Sequence, residues 1–142
     1  MAANSVFLDS NGWIALLCND DLLHTVAVPA WRKAVFARRP IVLTDWIIAE
    51  TGNGLARTPQ RGELRGALQD LLSSPQTRLV TISSVLRERA VLLYSDRPDK
   101  TWGLVDCASF VVMKDEGIAD AFTTDRHFEQ AGFNCLLPAS AL

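Results

Sequence analysis

Short apolar runs alternate along the chain with longer segments in which apolar residues recur at helical spacing. The apolar runs, each bounded by polar or turn residues, predict strands at 5–8, 41–43, 79–82, 119–124 and 135–137. The segments between them predict amphipathic helices at 12–18, 24–38, 46–56, 64–72, 85–94, 103–114 and 126–131. Strands that alternate with helices favour a parallel α/β sheet with helices on both of its faces.

Residues at the helix boundaries predict where some of these helices begin. Pro29 is expected to bend the second helix or delay its start, because proline lacks the backbone donor that a helix interior uses. Thr44 or Asp45 is expected to cap the third helix. On a straight helix Asp45 and Glu50 point apart, which favours a capping role for Asp45.

Length and composition predict one packed domain over residues 1–142. Of the 142 residues, 49% are hydrophobic and 21% are charged, which argues against disorder. Cys18, Cys107 and Cys135 form no C-x-x-C pair, so neither a disulfide framework nor a zinc site is indicated. The N-terminus lacks a signal-peptide pattern, and no apolar run reaches the roughly 18 residues of a membrane span. We therefore expect a soluble, cytoplasmic protein.

The formal net charge of −2 gives no overall signature of a nucleic-acid binder, whose domains are commonly basic. If the acidic residues are concentrated in one pocket, however, the remaining surface is net basic. Seven cations of the first half of the chain are candidates for phosphate contacts, with solvated helix faces as the alternative: Arg32, Lys33, Arg38, Arg39, Arg57, Arg61 and Arg65.

Four carboxylates occupy positions that bring them to one edge of the predicted sheet. Asp9 and Asp125 directly follow apolar strands, and ligands of open parallel sheets bind beyond the carboxyl ends of the strands. Glu50 and Asp106 lie early in helices that can reach the same crevice. Crowded carboxylates repel one another unless a cation neutralises them, and Mg²⁺ or Mn²⁺ prefers such oxygen ligands. The pattern therefore points to metal-dependent phosphodiester chemistry.

Each acid alone also has an ordinary structural interpretation. Asp9 or Asp125 could cap a helix, Asp106 could complement a helix dipole, and Glu50 could be an exposed helix charge. A phosphoacceptor receiver module also uses an acidic cluster, but it needs adjacent acids after its first strand, whereas Asp9 is followed by serine and asparagine.

Four segments together resemble the PIN domain family, and the stretch from Asp125 to Phe133 resembles its bacterial VapC-type members. The four segments, whose order and spacing cover nearly the whole chain, are Phe7–Ala15, Leu43–Thr51, Lys100–Phe110 and Phe122–Phe128. The resemblance implies a PIN-like three-layer α/β/α sandwich with a mostly parallel central sheet of four to five strands. It also implies a metal-dependent ribonuclease that uses Mg²⁺, with Mn²⁺ as the alternative ion.

The resemblance assigns roles to particular residues. Asp9, Glu50, Asp106 and Asp125 map onto the family's acidic quartet, with Asp9 and Asp106 as the principal metal ligands. Glu50 and Asp125 would complete the metal cage directly or through water. Three polar residues would support the site, with Thr123 at the family's polar position and Ser10 or Asn11 holding the first strand-to-helix turn. VapC-like proteins are toxins that cleave RNA, are neutralised by a small antitoxin and usually form homodimers.

Five further residues are candidates for contact with RNA. Arg57, Arg61 and Arg65 recur every four residues and could line an RNA groove or meet an antitoxin carboxylate. Lys100 could contact a phosphate, with an ion pair in its exposed loop as the alternative. His127, two positions after Asp125, could touch the substrate or a phosphate, with packing at a helix start as the alternative.

Two other functions remain open at this point. One is a stand-alone PIN ribonuclease of RNA processing, with no antitoxin. The other is a non-catalytic RNA-binding or interaction module on the same fold, which would not need to bind a metal.

Overall fold

The computed structural model describes residues 4–139. Within them lie five strands and seven α-helices. In chain order they are β1 (Val6–Leu8), α1 (Ser10–Leu17), α2 (His24–Phe36), β2 (Ile41–Thr44), α3 (Asp45–Leu55), α4 (Leu64–Ser73), β3 (Thr77–Val80), α5 (Ser84–Asp96), α6 (Leu104–Glu116), β4 (Asp120–Phe122), α7 (Arg126–Gln130) and β5 (Asn134–Cys135). None of the helices in this part of the chain is long and apolar enough to cross a membrane.

All five strands are parallel, in the order β3-β2-β1-β4-β5. The chain moves outward from β1 to β2 and β3, and then crosses to β4 and β5 on the other side of β1. The direction of winding therefore reverses between β1 and β4, where Phe7 pairs with Ala121. In open parallel sheets, this switch point is the place where ligands bind.

The sheet lies between two layers of helices. Both β1 and β2 are buried along their whole length, as expected for strands that are covered on both faces. Helix α1 contacts α2 and α3, and α5 packs against α6. The predicted three-layer α/β/α sandwich with a parallel central sheet is therefore confirmed.

An aromatic cluster joins the elements that follow β3. The ring of Phe110 in α6 packs edge to face against the rings of Trp102 and Phe128, with centroid distances of 5.1 and 5.0 Å. The indole nitrogen of Trp102 also donates to Oε1 of Gln130 at 3.0 Å. These contacts hold α6 and the residue Trp102 before it against α7.

Strands β3 and β5 have other bounds than predicted, and Pro29 does not have the predicted effect on the start of α2. Strand β3 begins two residues before the predicted 79–82, because Ile41 pairs with Thr77 and Thr44 pairs with Val80. Strand β5 begins at Asn134 and ends at Cys135 rather than covering 135–137. Helix α2 begins at His24, so Pro29 lies within it and does not delay its start.

Asp45 was predicted to be a cap, and this is wrong. The hydroxyl of Thr44 is the cap and accepts a hydrogen bond from the backbone N–H of Ile47 at 3.2 Å. Asp45 is the first residue of α3, and its carboxylate accepts from the backbone N–H of Ile82 at 2.8 Å. This side chain therefore ties α3 to the segment that follows β3.

Gly12 allows α1 to approach β4 closely. A Cβ atom at this position would overlap the backbone carbonyl oxygen and the ring of Phe122. Since Phe122 is fully buried and lies in the sheet, neither group can move without disturbing the core. A side chain at position 12 would push α1, and Asp9 before it, away from β4.

We expect Gly12→Ala to lower the free energy of unfolding by about 1–3 kcal/mol, because overpacking a rigid site forces the backbone to shift. Urea denaturation would measure this loss. The matched control is Gly66→Ala in α4, where an added Cβ meets no atom within 4 Å. That change should raise stability by roughly 0.5–1 kcal/mol, since alanine favours the helix. Equal stability of Gly12→Ala and the unmodified protein would contradict the close packing of α1 on β4.

Candidate active site

The four carboxylates predicted from the sequence are brought together at the carboxyl edge of the sheet, next to the switch point between β1 and β4. Asp9 follows β1, Asp125 follows β4, Glu50 comes from α3 and Asp106 from the first turn of α6. The charges of the other three acids all act on Asp9. Four separate elements thus converge on one site.

Asp9 is the most buried of the four acids, with only 3% of its surface exposed. It precedes α1 in the N-cap position, but its carboxylate forms no hydrogen bond with the start of the helix. Oδ2 of Asp9 instead accepts a hydrogen bond at 2.8 Å from the hydroxyl of Thr123, which is completely buried. Thr123, the predicted supporting residue, therefore joins the ends of β1 and β4.

The first turn of α1 holds two other parts of the site. The hydroxyl of Ser10 donates to Oε1 of Glu50 and so ties α1 to α3. Oδ1 of Asn11 accepts from the backbone N–H of Thr124 at 2.8 Å and lies 3.1 Å from the hydroxyl oxygens of Thr123 and Thr124. Ser10 and Asn11 therefore both hold the turn after β1, but against different neighbours.

Asp106 and Asp125 are held by backbone donors and by His127. Oδ2 of Asp106 accepts from the backbone N–H of Gly103 at 3.0 Å and lies 3.0 Å from Nδ1 of His127. Oδ1 of Asp125 accepts from the backbone N–H of His127 at 2.9 Å, which caps α7. The capping interpretation of Asp125 is therefore correct, and it is compatible with a place in the acidic site.

One oxygen of each carboxylate is engaged by a donor, and the other receives no hydrogen bond from residues 4–139. These four remaining oxygens are Oδ1 of Asp9, Oε2 of Glu50, Oδ1 of Asp106 and Oδ2 of Asp125. The engaged oxygens fix the orientation of the side chains. The remaining oxygens are available to a cation.

His127 is closer to the acids than its sequence position alone indicated. Ligand atoms of Asp106, Asp125 and His127 all lie within 4.8 Å of one another, and no other such group of three occurs among the described residues. Asp9 and Glu50 do not join this group at that distance, although their charges interact with Asp106 and Asp125. The only sequence signal for His127 was its place two residues after an acid of the quartet.

Burial and mutual repulsion shift the pKa values of these acids upward. Burial, with a smaller contribution from the three neighbouring acids, raises the pKa of Asp9 from 3.8 to about 7, although the Thr123 hydroxyl opposes the shift. Burial also raises the pKa of Glu50 and of Asp106, with nearby carboxylates adding to it. A divalent cation would relieve this repulsion. Because the atoms that would bind the cation are carboxylate oxygens, the residues fit Mg²⁺ or Mn²⁺.

Three of the predicted RNA-contacting cations lie on the surface near the end of α3 and the start of α4. Arg57, Arg61 and Arg65 are exposed and form no ion pair within residues 4–139, although Arg61 donates to the Ala56 carbonyl at 3.1 Å. Lys100 lies over the ring of Trp102, with Nζ 5.9 Å from the centroid. The acid beside it, Asp99, pairs with Arg97 at 2.9 Å, so the loop ion pair does not involve Lys100.

The chain is similar to known proteins over almost all of its length. A family model for the PIN domain matches residues 6–134. The 23S rRNA-specific endonuclease VapC20 of two Mycobacterium tuberculosis strains is 29% identical over 130 residues, covering 90% of this chain and 95% of the relative. The crystal structure of M. tuberculosis VapC20, described as a sarcin-ricin loop cleaving toxin, matches with a TM-score of 0.81 at 27% identity. That match covers 94% of this chain and 100% of the other.

The raised pKa of Asp9 predicts how the stability of the metal-free protein depends on pH. Between about pH 4 and pH 7 the folded state keeps the Asp9 proton, whereas the unfolded chain has lost it, so stability falls as pH rises through this window. Asp9→Asn keeps an oxygen that can accept from Thr123 but carries no charge. We expect it to make this fall smaller, with the part due to Glu50 and Asp106 remaining, and to raise stability at pH 8 by up to about 4 kcal/mol.

Urea denaturation in EDTA from pH 4 to pH 8 would measure the effect. The control is Asp20→Asn, which changes an exposed carboxylate in the turn between α1 and α2 and should follow the unmodified protein at every pH. The same pH slope in Asp9→Asn and in the unmodified protein would mean that Asp9 is ionised in the fold throughout the range.

Proposed function

The chain belongs to the PIN domain family, and on that premise we propose that it is a metal-dependent endoribonuclease of the VapC toxin type. One observation carries the proposal: four carboxylates from four elements meet at the switch point, each with one oxygen held by a donor and the other left available. A non-catalytic module would gain nothing from burying and crowding these acids, and burial together with the neighbouring charges raises the pKa of Asp9 to about 7.

Each residue of the site has a proposed role. Asp9, Glu50, Asp106 and Asp125 hold Mg²⁺ or Mn²⁺ through their available oxygens, directly or through water, and are the catalytic residues. A bound divalent cation lowers the pKa of a water and neutralises the charge that develops on the phosphate. Thr123 fixes Asp9 with its hydroxyl, so that Asp9 presents Oδ1 to the cation.

Ser10 and Asn11 maintain the distances between the elements that carry these acids. Ser10 orients Glu50, while Asn11 binds the chain that leaves β4 before Asp125. Since both residues belong to the first turn of α1, the turn links β1, α3 and the end of β4. We propose that this turn is what keeps the acidic cage assembled when no cation is bound.

RNA is the proposed substrate. The similar protein VapC20 is a 23S rRNA-specific endonuclease, and its structure is that of a toxin that cleaves the sarcin-ricin loop. At 29% identity this makes the same loop the first RNA to test. Arg57, Arg61 and Arg65 are proposed to bind phosphates, because they are exposed and form no ion pair within the described part of the chain.

We further propose that a small antitoxin inhibits the enzyme and that two copies form a homodimer. The VapC-type resemblance supports the first point, and the similar structure is that of a toxin. For the second, Val85 and Leu92 are exposed apolar residues that lie seven positions apart and therefore on one face of α5, and a second copy would cover such a surface. Activity should therefore be assayed with protein that is free of any small co-purifying chain.

Asp106→Asn should reduce cleavage of 23S rRNA by about 1,000-fold or more with the fold retained, because it removes a ligand charge whose catalytic effect is worth several kcal/mol. The assay incubates purified protein with intact ribosomal RNA and Mg²⁺, Mn²⁺ or EDTA, and maps the new RNA ends. Discrete, metal-dependent ends should appear with the unmodified protein and be absent in EDTA. Asp20→Asn serves as the control and should cut as the unmodified protein does.

Undiminished cutting by Asp106→Asn would remove that residue from the mechanism. Cutting that persists in EDTA would refute metal dependence. If the folded, metal-loaded protein binds RNA but cuts none of a total-RNA pool, the non-catalytic RNA-binding function would replace the nuclease.

Replacing Arg57, Arg61 and Arg65 together with Gln should weaken RNA binding and flatten its dependence on salt. Each lost phosphate contact reduces the magnitude of the negative slope of log affinity against log salt by about 0.7–0.9. Fluorescence anisotropy in the Asp106→Asn background, which prevents cleavage, would measure this between roughly 50 and 200 mM salt. Arg87→Gln, an exposed change on α5, is the matched control. An unchanged slope in the triple variant would place the RNA path elsewhere.

A further inference from the structure

His127 lies between two of the four acids and binds both of them, each through a different part of the residue. Its ring nitrogen Nδ1 is 3.0 Å from Oδ2 of Asp106 and 3.4 Å from Oδ1 of Asp125. Its backbone N–H donates to the same Oδ1 of Asp125 at 2.9 Å. Replacing the imidazole with a side chain that has no donor at this position therefore removes the contact with Asp106, while the backbone bond to Asp125 stays.

Thr101 contacts the other ring nitrogen of His127, and this contact bears on which of the two nitrogens carries the hydrogen. Its hydroxyl oxygen lies 3.2 Å from Nε2 of His127. One neutral tautomer satisfies both contacts: the Thr101 hydroxyl donates to Nε2, and the Nδ1–H group donates to Asp106. In this tautomer Nδ1 has no lone pair to offer a metal.

The contact with His127 decides which oxygen of Asp106 can meet a cation. Oδ2 of Asp106 accepts from both the Gly103 backbone N–H and the His127 ring, at 3.0 Å each. Oδ1 receives no donor from residues 4–139. The carboxylate is therefore held through Oδ2, and Oδ1 is the oxygen left for a cation. A histidine or other donor that orients a metal-binding side chain in this way commonly contributes 10–100-fold to metal affinity.

We infer that His127 is a positioning residue of the acidic site, which acts by donating from Nδ1 to Asp106, and that it is not a metal ligand. The inference rests on the proposed function, because it presupposes that the four acids bind Mg²⁺ or Mn²⁺. It assigns to Thr101 the secondary role of holding the ring from the other side.

Three substitutions at position 127 separate the possible roles of this side chain. His127→Asn places an amide nitrogen close to where Nδ1 lies and keeps the donor to Asp106. His127→Gln extends its amide toward the position of Nε2 instead, and His127→Ala removes both. We expect His127→Ala and His127→Gln to weaken Mn²⁺ binding by about 10–100-fold. The Mn²⁺ affinity of His127→Asn should stay within a few-fold of that of the unmodified protein.

The readout is Mn²⁺ affinity in the absence of RNA, from calorimetric titration, with thermal melting to verify that each variant folds. His24→Gln is the matched control, because its ring binds the Ala15 carbonyl at 2.8 Å and has no contact with the four acids. It should leave Mn²⁺ affinity unchanged. Thr101→Val should weaken binding less than His127→Ala does, since the ring keeps its bond to Asp106.

Pulsed electron paramagnetic resonance of bound Mn²⁺ gives a second readout. The unmodified protein should show no nitrogen directly bound to the ion, and a directly bound nitrogen would overturn the inference in favour of a ligand role. Unchanged Mn²⁺ affinity in His127→Ala would overturn it as well. Failure of the unmodified protein to bind Mn²⁺ or Mg²⁺ would instead refute the proposed function, so the two failures are distinguishable.

Discussion

The site depends on one physical constraint, which is that four mutually repelling carboxylates must be held together in partly buried surroundings. Asp9 is only 3% exposed, and the charges of the other three acids act on it. Such an arrangement is unfavourable in itself, and only a rigid scaffold can maintain it, because flexible side chains would turn apart into water. The rigid part is the parallel pairing of β1 with β4, whose side chains are almost wholly buried.

The donors of the site have a double effect, since each one orients a carboxylate and joins two elements. The Thr123 hydroxyl links the ends of β4 and β1, and the Ser10 hydroxyl links α1 to α3. The His127 ring links α7 to α6. Because the elements that carry the acids are tied by these donors, the loss of one donor affects both the geometry of the site and the packing around it.

The fold and the quartet were largely predictable, for reasons that the structure makes plain. Apolar runs such as Val6–Leu8 read as buried strands, and an acid directly after such a strand must lie at the carboxyl edge. The contacts of Asp45 and His127 were not predictable, because each depends on a partner 37 or 21 residues away whose approach is set by tertiary packing. The start of β3 was misplaced because its register follows from β2, and its first two residues, Thr77 and Arg78, are polar and gave no apolar signal.

Proton binding and cation binding compete for the same oxygens, and the Thr123 hydroxyl sets the balance. Without that hydrogen bond, burial and the neighbouring acids would raise the pKa of Asp9 above about 7. Asp9 would then bind its proton more tightly at neutral pH. With it, Asp9 titrates near neutrality, so a divalent cation needs to displace only a weakly held proton. The hydroxyl thus keeps a deeply buried acid usable as a ligand, which explains why a fully buried polar residue is placed at the end of β4.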